Sequence, residues 1–290
     1  MELKTNSDRL VMQSVMGKIH HPTVRRGGPF LLTHNGKSTV LPSVGGITYN
    51  VAIGDSVYAM RADHVEPGVT ILNPDERENG ALTALSCIGN DAVVATGDAK
   101  GAKGFVTGCH GGIEHTILYF ALDVLDRMFI GDSILIRAWG QGMILEDFPE
   151  VTCTGLDPRL LDRMGITADE GRLQVPVTAV VPSHLIGAGM GSGSGFSGDC
   201  DLMTADWKEI CRCGLDRLRY GDFVLLEDCD NGYGRGYLKG ACSVGVVVHS
   251  DSLVMGHGPG ITTVMTSKQP LIRPVIDVKA NLTDYMRVNG

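Results

Sequence analysis

The chain has 290 residues, 43% of them hydrophobic and 20% charged, so it is expected to fold around a packed core as one large β domain or as two domains. Its net charge of −8 argues against a nucleic-acid binder, and no run of about 18 apolar residues indicates a membrane-spanning helix. The polar N-terminus lacks the features of a secretory signal, so we expect a cytoplasmic protein whose eight scattered cysteines are reduced.

Glycine is abundant, at 39 residues, and many runs are rich in Val and Ile. This combination predicts short strands and tight turns, and therefore a mostly β fold. The first glycine pair is Gly45 and Gly46. Both are candidate substrate-binding residues, because glycine lets the backbone approach a ligand closely; a β-bulge or a barrel corner is the structural alternative.

A glycine–aspartate pair occurs three times, each time before a β-type run. The copies are Gly54-Asp55, Gly131-Asp132 and Gly221-Asp222. Glycine adopts the unusual φ of a tight turn, and the aspartate side chain can accept hydrogen bonds from backbone amides of that turn. We therefore assign these aspartates to structure and not to catalysis.

Two segments in the first half of the chain combine histidines with acids. The first, Asp63-His64-Val65-Glu66, makes His64 a candidate substrate-binding residue, with a solvated turn as the alternative. In the second, residues 110–115, two glycines argue against a zinc-binding helix. A flexible loop could still bring His110 and His115 to one metal ion, with Glu114 as a proton relay.

Two short helices are predicted in the second half. Asp157 caps the first, with Pro158 at its first position and Gly165 after its end. The second is expected to run from a cap at Thr204 to a stop at Gly214. A domain boundary is expected near the first helix, which gives an N-terminal domain over residues 1–150 and a C-terminal α+β domain over residues 151–290.

A glycine-rich stretch, residues 184–201, follows a predicted strand. Its glycines at 193, 195 and 198 fit the Gly-x-Gly-x-x-Gly spacing, but no βαβ alternation surrounds them, so a dinucleotide site is not favoured. We interpret the stretch as an active-site loop or lid, with His184 and Gly193 as substrate-binding candidates. Asp199 and Asp201 stand at its end, as a candidate catalytic group and a candidate metal ligand.

Residues 248–260 follow a β-branched run and hold two histidines and an acid among glycine, proline and small or apolar residues. No Lys or Arg lies nearby in sequence to neutralise the acid. Loops on a rigid scaffold commonly carry functional sites. His249 and His257 are therefore candidate metal ligands, Asp251 is a candidate catalytic group and Gly258 a candidate substrate contact.

The chain resembles an uncharacterised family, described as a domain of unknown function, with an N-terminal RIFT-type β-barrel and a distinct C-terminal domain. The resemblance rests on residues 41–50, 63–69, 97–101, 110–115 and 248–260. It implies the barrel fold and supplies no established reaction. A more distant likeness to acetamidase and formamidase enzymes rests on His184 and on Gly198-Asp199-Cys200-Asp201, and it implies amide hydrolysis.

These observations lead to the hypothesis of a metal-dependent hydrolase of a small amide or cyclic amide. A divalent ion (Zn, Mn or Fe) would lower the pKa of a bound water. Its candidate ligands are His110, His115, His249, His257 and Asp201. Glu114, Asp199 and Asp251 are the candidate catalytic groups, and backbone amides around Gly193 or Gly258 would bind the developing oxyanion. Cys109, beside His110, is the alternative nucleophile.

The expected partner is a small-molecule substrate, with no nucleic acid and no membrane, and the chain is expected to form a homo-oligomer. The alternative function is a non-catalytic small-molecule-binding or assembly protein with structural histidines. The hydrolase hypothesis requires histidines from both halves of the chain to meet in one pocket. Histidines on separate faces, each satisfied by its own backbone partner, would favour the alternative.

Overall fold

The structure is a computed structural model that describes residues 3–23 and 29–288, and strands dominate it. The described strands are β1 (Gln13–Ile19), β2 (Leu31–Leu32), β3 (Ser38–Thr39), β4 (Ile47–Thr48), β5 (Gly68–Leu72), β6 (Asp91–Val94), β7 (Lys103–His110), β8 (His115–Tyr119), β9 (Ser133–Ala138), β10 (Thr152–Cys153), β11 (Thr167–Asp169), β12 (Arg172–Val177), β13 (Ala179–Val181), β14 (Cys200–Asp201), β15 (Phe223–Asp230), β16 (Gly236–Val247), β17 (Gly260–Ser267) and β18 (Ile272–Ile276). The described helices are α1 (Glu76–Leu85), α2 (Leu122–Leu125), α3 (Pro158–Leu161), α4 (Trp207–Arg212) and α5 (Leu282–Tyr285).

Six antiparallel strands close into a barrel in the N-terminal half. Their order is β1-β9-β6-β7-β8-β5, and β5 pairs back to β1 to complete the ring; β4 adds to the outer edge of β5. Aliphatic side chains fill the interior, among them Val69, Ile71, Val106 and Ile134. Removing such side chains from water is the main term that favours folding. The predicted mostly β fold with an N-terminal barrel is confirmed.

The C-terminal half is built on a second sheet, in the order β10-β17-β16-β15-β13, with β14 paired to β17. A smaller sheet, β11-β12-β18, packs beside it. Within the described ranges, no helix is both long enough and apolar enough to cross a membrane.

The two predicted helices are present, with one difference in capping. Asp157 caps α3 by accepting from the N–H of Arg159, and Gly165 beyond the helix has a φ of 67°. Asp206, and not Thr204, caps α4. The predicted cap at Thr204 is therefore wrong by two residues.

The three glycine–aspartate turns have the structural role predicted for them. Each aspartate accepts a hydrogen bond from the backbone N–H three residues earlier, at 2.8–2.9 Å. The glycine before it has a φ of 83–93°, a region that favours glycine. The three donor–acceptor pairs are Ala52–Asp55, Phe129–Asp132 and Arg219–Asp222.

Loops from the two halves are joined by backbone hydrogen bonds. The N–H of Ser250 donates to the carbonyl of Val65 at 2.9 Å, and the N–H of His64 donates to the carbonyl of Asp251 at 3.2 Å. The larger hydrophobic core also contains buried residues from both halves. These contacts fix the segment around residue 64 against the segment around residue 250.

Candidate metal centre

Strand ends position four of the predicted site residues. His110 ends β7 and His115 begins β8, and the two are register partners across this antiparallel pair. Asp199 comes directly before β14 and Asp201 ends it, opposite Gly260 of β17. Because side chains alternate along extended backbone, the two aspartates point to the same side.

Two loops supply the remaining imidazoles. The chain beyond β16 carries His249 and His257, and the loop before β5 carries His64. His64 has a φ of 55°, a left-handed conformation that is unfavourable for a residue other than glycine. Such strained residues concentrate at functional sites, where the surrounding structure holds them in place. Here the hydrogen bond from its N–H to the Asp251 carbonyl is one such restraint.

His64, Asp201 and His257 place three potential ligand atoms in a close triangle, which we call the open triad. The Oδ2 of Asp201 lies 2.7 Å from Nδ1 of His257 and 3.3 Å from Nε2 of His64, and the two nitrogens are 3.0 Å apart. Ligand atoms that bind one ion at about 2.0–2.2 Å lie roughly 3 Å from each other, so the spacing fits a shared ion. The His257 side chain is 28% exposed, which leaves the triad accessible.

His110, Asp199 and His249 form a second group, the buried triad. The two imidazole rings stack with their centroids 4.1 Å apart. The Oδ2 of Asp199 and the Nε2 of His249 lie 2.8 Å apart at ion-pair distance, and neither atom has a hydrogen-bond partner among the described residues. Both atoms are buried, where an unsatisfied polar group is unfavourable. A cation that contacted both would satisfy them.

Outer acceptors determine which nitrogen of each ring faces a triad. The Nδ1 of His249 donates to the carbonyl of Ser250 at 2.9 Å, so Nε2 offers its lone pair when the ring is neutral. The Nδ1 of His64 lies 3.0 Å from Oδ1 of Asp63, which leaves Nε2 for the open triad. Carboxylate and carbonyl partners of this kind orient histidines that bind metals.

Glu66 lies behind the buried triad. Its Oε1 is 2.6 Å from Nδ1 of His110 and 3.2 Å from Nδ1 of His115, and its Oε2 accepts from the N–H of Gly45 and the hydroxyl of Thr70. Burial would raise the pKa of Glu66, but the two histidines outweigh burial and hold it well below 4.5. Since Glu66 engages Nδ1 of His110, Nε2 of that ring is left to face the buried triad.

Asp201 connects the two triads. Its Oδ2 belongs to the open triad, while its Oδ1 lies 3.5 Å from Nε2 of His249. The rings of His64 and His249 have centroids 5.0 Å apart. Two-metal sites hold their ions about 3.5–4 Å apart, and one carboxylate often contacts both. The position of Asp201 suits that role.

The cluster is strongly coupled in charge. Burial lowers the pKa of His249, but the carboxylates of Asp199 and Asp201 outweigh burial and raise it well above 6.5. Burial raises the pKa of Asp201, whereas its contacts with His249, His257 and His64 bring it below 3.8. The protons that His249 and His64 hold therefore offset the charge of the acids when no metal is bound, and a metal ion would replace those protons.

Gly260 allows β17 to approach the buried triad. A Cβ at this position would lie 2.1 Å from both Asp199 Oδ2 and His249 Nε2. Any side chain here would enter the space beside the two unsatisfied atoms. The backbone at this point therefore requires glycine.

Comparison with known proteins identifies the family. Residues 30–162 match the N-terminal model, and residues 163–286 the C-terminal model, of the domain of unknown function DUF4438. The chain belongs to the DUF4438 family. The crystal structure of TM1086 is similar to it, with 45% sequence identity, a TM-score of 0.93, and coverage of 98% of this chain and 99% of that one. No curated protein matches the chain.

The family resemblance predicted from the sequence is confirmed, and its description assigns no reaction. The two DUF4438 models meet after residue 162, whereas the boundary predicted from the sequence lies after residue 150. The boundary after residue 150 stays a prediction. The larger core contains buried residues from both halves, so packing does not separate them there.

This DUF4438 structure brings six of the fourteen predicted site residues together in the two triads. All of these except His249 line a cavity of about 470 Å³. His64, predicted as a substrate contact, and Asp199, predicted as a catalytic group, occupy positions suited to metal ligands. His115, predicted as a ligand, instead contacts Glu66 and belongs to neither triad. Glu114 is exposed and lines the same cavity.

Three predicted residues lie elsewhere. His184 sits in a 3-10 turn with 58% of its side chain exposed, paired with Glu209 at 2.9 Å, so it does not line the cavity. The carboxylate of Asp251 accepts the Thr204 hydroxyl at 2.6 Å. Gly258 packs against the carbonyl of residue 202, which a Cβ would meet at 1.8 Å. The position of His184, the Thr204 partner of Asp251 and the close packing of Gly258 all depend on tertiary structure, which sequence spacing does not specify.

The other glycines predicted as substrate contacts, Gly45, Gly46 and Gly193, are not among the described residues that line the cavity. Gly45 donates its N–H to Glu66, and a Cβ at Gly46 would meet Pro22 at 2.9 Å. Gly193 stands between Ser192 and Ser194, which line the cavity, and a Cβ there would have open space around it.

Cys109 is not suited to act as a nucleophile. It is buried, and burial raises the pKa of its thiol to about 12. The N–H of Gly198 donates to its sulfur at 3.4 Å. The reactive thiolate is therefore scarce near neutral pH.

Sequence reasoning gave no specific role to two residues of the site. Glu66 was considered only together with Asp63 and His64, as ionisable groups that could be ligands or form a solvated turn, although its position two residues after His64 was a usable signal. Arg235 lines the cavity and is buried, and its glycine neighbours on both sides were the sole hint of a special position.

Proposed function

We propose that this protein is a metal-dependent hydrolase that holds one divalent ion in each triad and attacks a C–N bond of a small amide or cyclic amide. The observation that carries the proposal is the buried contact of 2.8 Å between Asp199 Oδ2 and His249 Nε2, neither of which has a hydrogen-bond partner among the described residues. A shared cation in place of the proton on His249 would contact both atoms at once.

The donor set supports a transition metal. Each triad offers two imidazoles and one carboxylate, a combination that suits Zn, Mn or Fe. Three protein ligands leave a coordination position for water, and a divalent ion lowers the pKa of such a water toward neutrality. The proposed content is two ions per chain.

The chain's own groups would bind and orient the substrate. The cavity of about 470 Å³ is in the size range of small-molecule sites. The hydroxyls of Ser192 and Ser194 line it and can donate to a carbonyl oxygen of the substrate. Glu114, exposed at the same cavity, would carry a proton to the departing nitrogen.

The carboxylates and imidazoles of the two triads are arranged in a way that favours a catalytic role over a purely structural one. Structural histidines are expected to be satisfied individually, as the glycine–aspartate turns are. Here two carboxylates and four imidazoles converge on one another, and the nitrogens of His64 and His257 are 3.0 Å apart. Such crowding is unfavourable without protons or cations to bridge the groups.

The test is reconstitution of untagged protein stripped with a chelator. Zn, Mn or Fe(II) is added in steps, and hydrolysis of acetamide, succinamate and 2-pyrrolidone is followed by release of ammonia or of the ring-opened product. We expect activity to appear as the second equivalent binds. His249→Ala should abolish it, and His184→Ala, a surface histidine, should not.

Two outcomes would contradict the proposal. If none of the three metals binds to folded protein, both the metal centre and the hydrolase are wrong, and the non-catalytic alternative stands. If two equivalents bind and none of the amides is hydrolysed, the metal centre stands and amide hydrolysis is wrong.

A further inference from the structure

Arg235 is a buried cation with unused hydrogen-bonding capacity. The residue is 5% exposed, and its Nε has no hydrogen-bond partner among the described residues. No carboxylate of the described ranges lies within ion-pair distance of its guanidinium, whereas the buried Asp157, Asp222 and Asp199 each have a cationic partner. An unpaired buried charge is strongly unfavourable, so a counter-ion from outside the chain is expected to complete the site.

The guanidinium is held in a fixed position beside the metal centre. One Nη atom donates to the carbonyl of Ser197, two residues before Asp199. The Arg235 backbone pairs with the serine-containing loop, because its N–H donates to Ser192 and its carbonyl accepts from Gly191, both at 2.9 Å. A side chain restrained in this way loses little freedom when it binds a ligand.

The surroundings of Arg235 suit an oxyanion. It lines the same cavity as the two triads, together with the hydroxyl-bearing Ser192, Ser194 and Ser197. The planar guanidinium fork matches two oxygens of a carboxylate or phosphate, and serine hydroxyls can donate to the remaining lone pairs. Gly112 also lines this cavity, and a Cβ there would meet nothing within 4 Å, so space remains beside it.

We propose that Arg235 and the serines of residues 192–197 form an oxyanion-binding subsite, so that the ligand of this cavity carries a carboxylate or phosphate group at the end away from the metal centre. The inference rests on the proposed function only in calling that ligand a substrate. With amide hydrolysis, the substrate class becomes a small amide that bears an acidic group.

The test compares ligands that differ in one charge. Succinamate carries a carboxylate and an amide, while succinamide has the same chain and no charge. Binding of each to full-length protein, both stripped of metal and supplied with zinc, is measured by calorimetry, for the wild type and for Arg235→Gln and Arg235→Lys. Hydrogen bonds to charged groups predict that the wild type prefers succinamate by about 10- to 100-fold. Arg235→Gln should remove that preference, and Arg235→Lys should retain part of it.

Hydrolysis and binding are read separately, so the two proposals can fail separately. A preference for succinamate in binding, without hydrolysis of either compound, supports the subsite and contradicts amide hydrolysis. Equal binding of both compounds by the wild type overturns the subsite whatever the variants do, even if both are hydrolysed. A preference for succinamate that Arg235→Gln leaves unchanged in folded protein also overturns it, because the charge is then recognised by the metal ions.

The phosphonate analogue 3-phosphonopropanamide distinguishes the two oxyanions. Tighter binding than succinamate, lost in Arg235→Gln, would support the subsite and assign it to phosphate-bearing ligands. Weaker binding would support it as a carboxylate site.

Discussion

The two triads have the same composition but different surroundings. The buried triad contains His249, which has no exposed surface, and it is backed by Glu66, which is also completely enclosed. The open triad contains His257, which is 28% exposed, and within the described part of the chain Asp63, beside His64, is its one outer carboxylate. Ligands with fixed outer partners bind metal more tightly than ligands free to move.

This difference predicts a division of work. The buried triad is expected to hold its ion tightly and to anchor Asp201, whereas the open triad presents its ion to the cavity. A chelator should therefore remove one ion easily and the second only slowly.

The largest effect is expected for Asp201→Ala, because this carboxylate faces both triads. Both ions should be lost, and activity should fall by more than the roughly 10- to 100-fold typical of changes to outer partners. Metal content by mass spectrometry and amide turnover measure the two quantities. If Asp201→Ala keeps two ions per chain, Asp201 does not connect the triads.

Gly260→Ala should block the buried triad alone. The added Cβ would lie 2.1 Å from Asp199 Oδ2 and His249 Nε2, in the space beside the unsatisfied atoms. We expect one ion per folded chain instead of two. Gly80→Ala, where an added Cβ meets nothing within 4 Å, is the matched control and should leave metal content unchanged. Two tightly bound ions in Gly260→Ala would contradict the assigned position.

Glu66→Gln keeps the shape of the side chain and removes its charge. Because Glu66 orients His110 from behind, ion affinity at the buried triad should fall by about 10- to 100-fold, with the open triad less affected. Calorimetric titration of stripped protein resolves the two binding steps. A loss confined to the weaker step would reverse the assignment of the triads.

The pH dependence of binding should also separate the triads. An ion must displace the proton that His249 holds below its raised pKa, so affinity should rise with pH by about tenfold per unit until that pKa is passed. The pKa of His64 is raised by less, so the rise at the open triad should end at a lower pH. Titrations at several pH values give both curves. An affinity at the buried triad that does not change from pH 6.5 upward would contradict this account.

The features that could be predicted from the sequence are local. The glycine–aspartate turns depend on a hydrogen bond across three residues, and the α3 cap on neighbouring residues. The segment around His110 was recognised because a hairpin keeps His110 and His115 close in sequence, although only His110 belongs to a triad. These parts of the fold and of the site could be inferred because their geometry is determined within a few residues.

The features that could not be predicted depend on contacts between distant segments. His184 and Arg235 both lie near glycine-rich sequence, yet the fold turns one to the surface and the other into the cavity. The role of Glu66 required two histidines that lie 44 and 49 residues away along the chain. Sequence spacing carries no information about such distances, and no periodic pattern marks them.

The most direct test of the metal centre is the crystal structure of untagged protein loaded with zinc, with anomalous diffraction measured on both sides of the zinc absorption edge. We expect two anomalous peaks about 3.5–4 Å apart, one bounded by His110, Asp199 and His249 and the other by His64, Asp201 and His257. A map with no anomalous peak at either triad, from protein crystallised with excess zinc, would contradict the account.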